Sequence, residues 1–213
     1  MIDALEIGDD CLVLSQRLAA QVTRAPTLEE DIALANLSLD LLGQARALLS
    51  RVGDEDELAY RRGPAEYRNC LLVEQPDADF AHTVVRHLLY STFLHALYAD
   101  HPDDDVAAKG IKELAYHRDY AGLWAVRLGR GTQESGRRMV AALAALWPYT
   151  GEIFAVRPET EERVGQVLRQ AGLQAPHGVP QRDGGRRGEH TEHLTGLLDE
   201  LQCLHREHLG ARW

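Results

Sequence analysis

Apolar residues recur at helical spacing through almost the whole chain, and no useful stretch alternates polar with apolar as a half-buried strand would. In LEEDIALANLSLDLLGQARALLSRV, residues Leu28, Ile32, Ala35, Leu39, Leu42 and Leu49 form one seam. Leu34, Leu37, Leu41, Leu48 and Val52 form a second, with Gln44 set among them. A helix apolar on two sides lies at the centre of its own bundle or packs against a partner. The pattern predicts an all-α fold, and this segment is its first sign of obligate association.

A helix is predicted over 10–22, with Cys11, Leu14, Leu18 and Val22 on one stripe. Ala25-Pro26 ends it, because proline disfavours the α conformation in the residue before it. Thr27 followed by Glu30 reads as a capping box that starts the two-seamed helix over 28–52. Further helices are predicted over 79–98, 106–128, 133–154 with a kink at Pro148, 159–171 and 189–209. Short links within the first and second long pairs, and a longer link between them, suit an antiparallel four-helix bundle of the ferritin-like kind with additional C-terminal helices. Residues 172–188 are rich in glycine and proline and predict a loop, either a mobile linker or an ordered segment wrapped on a partner. At 213 residues the chain is long enough for one domain over 1–213.

Acidic residues outnumber basic ones 33 to 23, a net charge of −10, which argues against nucleic acid and anionic lipid as partners. No apolar run approaches the roughly 20 residues that span a bilayer. The N-terminus, MIDALEIGDD, is acidic and lacks the apolar core of a signal peptide. These features predict a cytoplasmic protein without a membrane anchor. Three widely spaced cysteines suggest neither a disulfide framework nor a metal knuckle.

The stretch IKELAYHRDY sets Glu113 and His117 four residues apart on a helix. Di-iron bundles place one carboxylate on each of two helices and a Glu-x-x-His pair on each of the other two. Carboxylates and imidazoles are needed there to neutralise two iron ions while positions stay open for oxygen. Here the residue three before His117 is Leu114, the matching positions on the second helix are Leu41 and Gln44, the first helix offers Cys11, and the third offers Ser91. Asp9 and Asp10 lie beside Cys11, near the predicted helix start. Only His117 of the set could serve as a ligand, and it too reads first as a satisfied core residue, in a core whose polar groups bond one another or water. A rearranged site from Glu113, His117 and either Asp40 or Cys11 stays open as a second reading.

Near the C-terminus, His190 and His193, and His205 and His208, are each three apart, as zinc-binding pairs can be. No cysteine or carboxylate cluster completes either pair at a known spacing. Arg186 and Arg187, with His190, Glu192 and His193 close by, are candidate contacts for a partner's carboxylates or a ligand phosphate. No nucleophile elbow, Walker loop or dinucleotide fingerprint occurs.

The runs DDCLVLSQRLA, DIALANLSLDLLGQARALLS, NCLLVEQPDADFAHTVVRHLLY, IKELAYHRDYAGLWAVRLG, LWPYTGEIF and HTEHLTGLLDELQCLHREHLGARW, in this order, resemble the PaaC family. Its members are the structural subunits of bacterial ring-1,2-phenylacetyl-CoA epoxidases, and the resemblance covers nearly the whole chain. It implies a ferritin-like subunit paired with a homologous catalytic subunit (PaaA-like) that holds the di-iron centre. The complex would epoxidise the aromatic ring with O2, using electrons that a separate reductase draws from NADPH. It also implies that this chain has no catalytic residue and no metal or other cofactor of its own. Cys11, Leu41, Gln44, Ser91, Leu114 and His117 would then be the degenerate remains of a metal site. Alone, the chain would form homo-oligomers. A helical module that binds a coenzyme A thioester without turnover is a third reading. The chain looks compressed after Arg51 and after Phe154, and Leu209 stands where the family has proline.

Overall fold

The structure, a computed structural model, describes residues 1–208; Leu209 and the end of the last predicted helix lie outside the described residues. Every long element among them is an α-helix, and the fold is all-α, of the ferritin-like bundle class. Two compact units form, one of Ile2–Gln75 with the segment from Gly184 onward, the other of Pro76–Asp183 with Met1.

In the first unit, α1 (Ala4–Ala19) and α2 (Leu28–Leu49) form an antiparallel hairpin. Asp3 caps α1 by accepting from the N–H groups of Leu5 and Glu6 at 3.1 and 3.0 Å. The helix therefore begins six residues before the predicted start, which places Asp9 and Asp10 in its middle, fully buried. The expectation failed because two adjacent acids interrupt the apolar stripe, and their cationic partners are remote in sequence. Gly8 lets the helices close, since a Cβ there would meet Leu49 Cδ2 at 2.9 Å. Ser15 and Ser38 lock the hairpin reciprocally, each hydroxyl donating to the other's carbonyl at 2.9 Å.

The second seam of α2 is its inner face, with Leu34, Leu37, Leu41 and Leu48 buried. The first seam is largely outward, with Leu28, Ile32 and Leu39 exposed by 71, 55 and 63%. Thr27 is the N-cap of α2, but its side chain makes no capping hydrogen bond. The helix stops at Leu49, so Val52 lies beyond it and is exposed. Short helices α3 (Glu55–Tyr60) and α4 (Leu71–Glu74) follow, and the segment from Gly184 adds a tight turn at Gly185–Arg187.

The second unit is built round α5 (Phe80–Ala99), which packs antiparallel to α6 (Asp105–Gly129). Asp79 and Asp104 cap these helices, accepting from His82 N at 3.2 Å and from Val106 N at 3.0 Å. Residues 83–94 are buried without interruption, so α5 is the central helix of its unit. Its Arg86 is fully buried against Asp77. The helix predicted over 133–154 breaks rather than kinks: α7 (Gln133–Leu146) gives way to a 3-10 turn at Trp147–Tyr149 and then α8 (Gly151–Val156). Pro148 has no N–H to continue the α ladder. Helix α9 (Glu159–Gln170) closes the unit, and α10 (Glu192–Glu207) belongs to the first.

Candidate functional site

Within the second unit, α5 and α6 bring His87 and His117 together, ring centroids 5.0 Å apart and tilted by 37°. Both rings are buried, as are Ser91 and Leu114. Neither His87 nitrogen, nor the Ser91 hydroxyl, has a hydrogen-bond partner among the described residues. Burial holds His87 well below its ordinary pKa, helped by repulsion from His117 and Arg86. Glu113 lies toward the flank and pairs with Lys109 at 3.5 Å. In the first unit, Cys11 and Leu41 are fully buried and Gln44 nearly so.

This donor set does not fit a pair of iron ions. Each ion needs anionic oxygen ligands to offset its charge, and on α5 and α6 the side chains one turn from the two imidazoles are Ser91 and Leu114. Among the described residues, no three or more His, Cys, Asp or Glu side chains converge as metal ligands. Two imidazoles in apolar surroundings can pack and fill space; they carry no negative charge to offset two cations.

The sign of the His87 shift gives a stability prediction. Its folded pKa is depressed below the ordinary 6.5, so below that pH the unfolded chain takes up a proton that the folded chain refuses. Stability is present above pH 6.5 and falls as pH drops, with a slope of about 1.4 kcal/mol per pH unit for this one group. Urea unfolding between pH 7 and 5 should show a shallower loss for His87→Leu than for the parent chain. Parallel profiles would contradict the prediction.

The first unit carries a denser polar centre that sequence reasoning missed. Asp9 accepts from Arg62 Nη1 at 3.0 Å and from Arg68 N at 2.8 Å. Burial pushes its carboxyl up, opposed by the pull of Arg62 and of the Arg68 N–H. Asp10 accepts from Cys70 N at 2.7 Å and from Arg186 Nη2 at 2.6 Å. Arg186 also donates to the carbonyls of Glu6 and Arg68, at 3.0 and 2.8 Å. The fully buried Glu74 accepts from Asn69 Nδ2 at 2.9 Å, and from the Thr191 N–H and hydroxyl at 2.7 and 2.8 Å. His190 bridges Glu74 Oε2 at 2.7 Å and the Tyr67 carbonyl at 3.1 Å. Gln202 of α10 donates to the carbonyls of Ala59 and Arg62 at 3.0 Å.

Chemically this arrangement is a lock rather than an acid–base site, since each carboxylate is spent on fixed donors. It fastens the segment from Gly184 onto α1 and the stretch around α4. Of the candidate contact residues near the C-terminus, Arg186 and His190 thus make contacts inside the chain. Arg187 pairs with Glu189 at 3.0 Å on the surface, Glu192 is exposed in the first turn of α10, and His193 is half-buried. Of the second histidine pair, His205 stacks on Tyr60 at 3.7 Å and His208 is the C-cap of α10. A usable sequence signal for the lock existed in two adjacent acids inside an otherwise apolar helix, which in a folded chain require cationic partners.

With this geometry in hand, the chain matches the family model described as phenylacetic acid catabolic protein (PaaA_PaaC) over residues 3–164 and 155–213. It is also 41% identical to the C subunit of the 1,2-phenylacetyl-CoA epoxidase of Escherichia coli (strain K12), over 240 aligned positions that cover 98% of this chain and 97% of the relative. The alignment is longer than the chain, so the relative carries additional residues within it. A family match of this extent, with identity at that level end to end, leaves one assignment: the chain belongs to the phenylacetic acid catabolic protein family.

Proposed function

We propose that this chain is the supporting subunit of a multicomponent monooxygenase that epoxidises the ring of phenylacetyl-CoA, and that it performs no oxygen chemistry itself. The observation that carries this reading is the donor set on α5 and α6, where Ser91 and Leu114 accompany His87 and His117 and, among the described residues, no three His, Cys, Asp or Glu side chains converge as metal ligands. The similarity to the C subunit of an epoxidase over almost its full length supplies the reaction and substrate.

On this reading the di-iron centre belongs to a homologous catalytic subunit, and a reductase delivers electrons from NADPH. The chain contributes a rigid helical surface that holds the catalytic subunit in its working shape. A contact of that obligate kind buries roughly 2,000 Å² or more. We place the complex in the cytoplasm, beside its coenzyme A thioester substrate. By length and composition α2 could cross a membrane, yet 44% of its apolar window is buried inside the protein, and Ser38 and Gln44 are among its buried residues.

The test is turnover. The chain supplied with phenylacetyl-CoA, O2, NADPH and the reductase is expected to form no epoxide, and addition of the catalytic subunit is expected to start the reaction. Iron-dependent product from this chain with the reductase alone would refute the proposal.

A further inference from the structure

On the first unit, a groove of about 940 Å³ opens beside the C-terminal half of α2. Its floor is apolar, made by Leu12, Leu42, Ala45 and Leu49. The stacked rings of Tyr60 and His205 line it, and the run Asp54–Glu57 contributes four acids against Arg46 and Arg61. Arg46 is held by Glu55 at 2.6 Å, so the lining keeps a negative excess.

The floor continues along α2. Leu28, Ile32, Ala35, Leu39 and Leu42 recur every three to four residues on one stripe, and Leu28, Ile32 and Leu39 are more than half exposed. Gly43 beside them has nothing within 4 Å of where a Cβ would stand, so another backbone can approach closely. From Leu28 to Leu49 the stripe and groove run about 30 Å at the α-helical rise. That is the length of a helix of roughly 20 residues.

We propose that the outer face of α2 and the groove at its end form the docking surface for one long amphipathic helix of the catalytic subunit, apolar toward α2 and basic along the flank that meets Asp54–Glu57. The inference rests on the supporting-subunit reading above and adds where the companion sits. Charge decides between occupants. A second copy packed antiparallel on the same face would bring Glu29, Glu30 and Asp31 at the start of one α2 against Asp54–Glu57 at the end of the other. That contact sets acid on acid and is repulsive. An anionic lipid surface meets the same repulsion. A helix carrying lysine or arginine satisfies both the apolar stripe and the acidic rim.

The test measures binding of the purified catalytic subunit of the same epoxidase to the parent chain and to Leu39→Asp, Asp56→Lys and Leu123→Asp. All three side chains are exposed, so the variants are expected to fold, as circular dichroism will verify. Leu39→Asp is expected to weaken binding on the order of 30-fold or more, as loss of a central apolar anchor does. Asp56→Lys is expected to weaken it by about tenfold at low salt, less at high salt. Leu123→Asp, on the exposed face of α6, is the control and should bind like the parent. Parent-like binding by Leu39→Asp and Asp56→Lys overturns the docking surface while leaving the supporting role intact. No binding by the parent chain would instead sink the functional reading itself.

Discussion

Asp10→Ala is expected to lower the unfolding free energy by about 3–5 kcal/mol, the range found when one partner of a buried ion pair is removed. Asp10 is fully buried in the middle of α1, with Arg186 Nη2 at 2.6 Å and Cys70 N at 2.7 Å. Truncation takes from the Arg186 guanidinium its shortest carboxylate contact, leaving the more distant Glu6 Oε2 at 3.6 Å, and it removes the acceptor of the Cys70 amide. Asp10→Asn keeps an acceptor for Cys70 but removes the charge, so it should fall between the parent and the alanine variant. Urea midpoints at constant m-value check the order. Equal midpoints for all three chains would show that the lock contributes nothing to stability.

The second large effect concerns Gly185, in the turn that carries Arg186 into the lock. A Cβ at this position would overlap the Asn69 carbonyl oxygen and stand 3.0 Å from Leu71 N, both parts of the backbone. Backbone atoms cannot rotate away as a side chain can, so Gly185→Ala must push the turn off α4 and weaken the Arg186 contacts with it. A loss of about 3 kcal/mol is expected, at the upper end of ordinary overpacking. Gly196→Ala provides the contrast. It lies within α10 with nothing inside 4 Å, and there alanine should stabilise by about 0.5–1 kcal/mol through helix propensity. The same chemical change is therefore expected to shift the melting temperature in opposite directions at positions eleven residues apart.

Much of the architecture is legible in the sequence because helical periodicity is a local signal. The stripe through Phe80, Val84, His87, Ser91, Leu94 and Tyr98 predicts a helix over 79–98, and α5 spans Phe80–Ala99. The two seams of α2 foretell one inner and one outer face, and Leu41 and Leu39 fall on opposite sides accordingly. The histidine of IKELAYHRDY was legible as a core residue; its neighbour across α5, His87, could be placed on the right stripe but not beside it.

The partners in the lock were illegible for a physical reason. Asp10 and Arg186 are separated by 176 residues, and Glu74 and His190 by 116. Nothing local to either acid states which cation will neutralise it. Taken alone, DD in MIDALEIGDD reads as a solvated helix start, and that reading moved the predicted helix past its true beginning. Pro148 misled less: it signalled a disturbance correctly, and only the outcome, a break through a 3-10 turn, depended on the packing around it.

Iron analysis of the separated subunits tests most directly whether reactivity resides in a companion chain. Metal should follow the catalytic subunit, with this chain at background and His117→Ala indistinguishable from the parent, because two imidazoles without carboxylates cannot hold a charged pair. Close to two irons per copy of this chain, lost on replacing His117, would contradict the account.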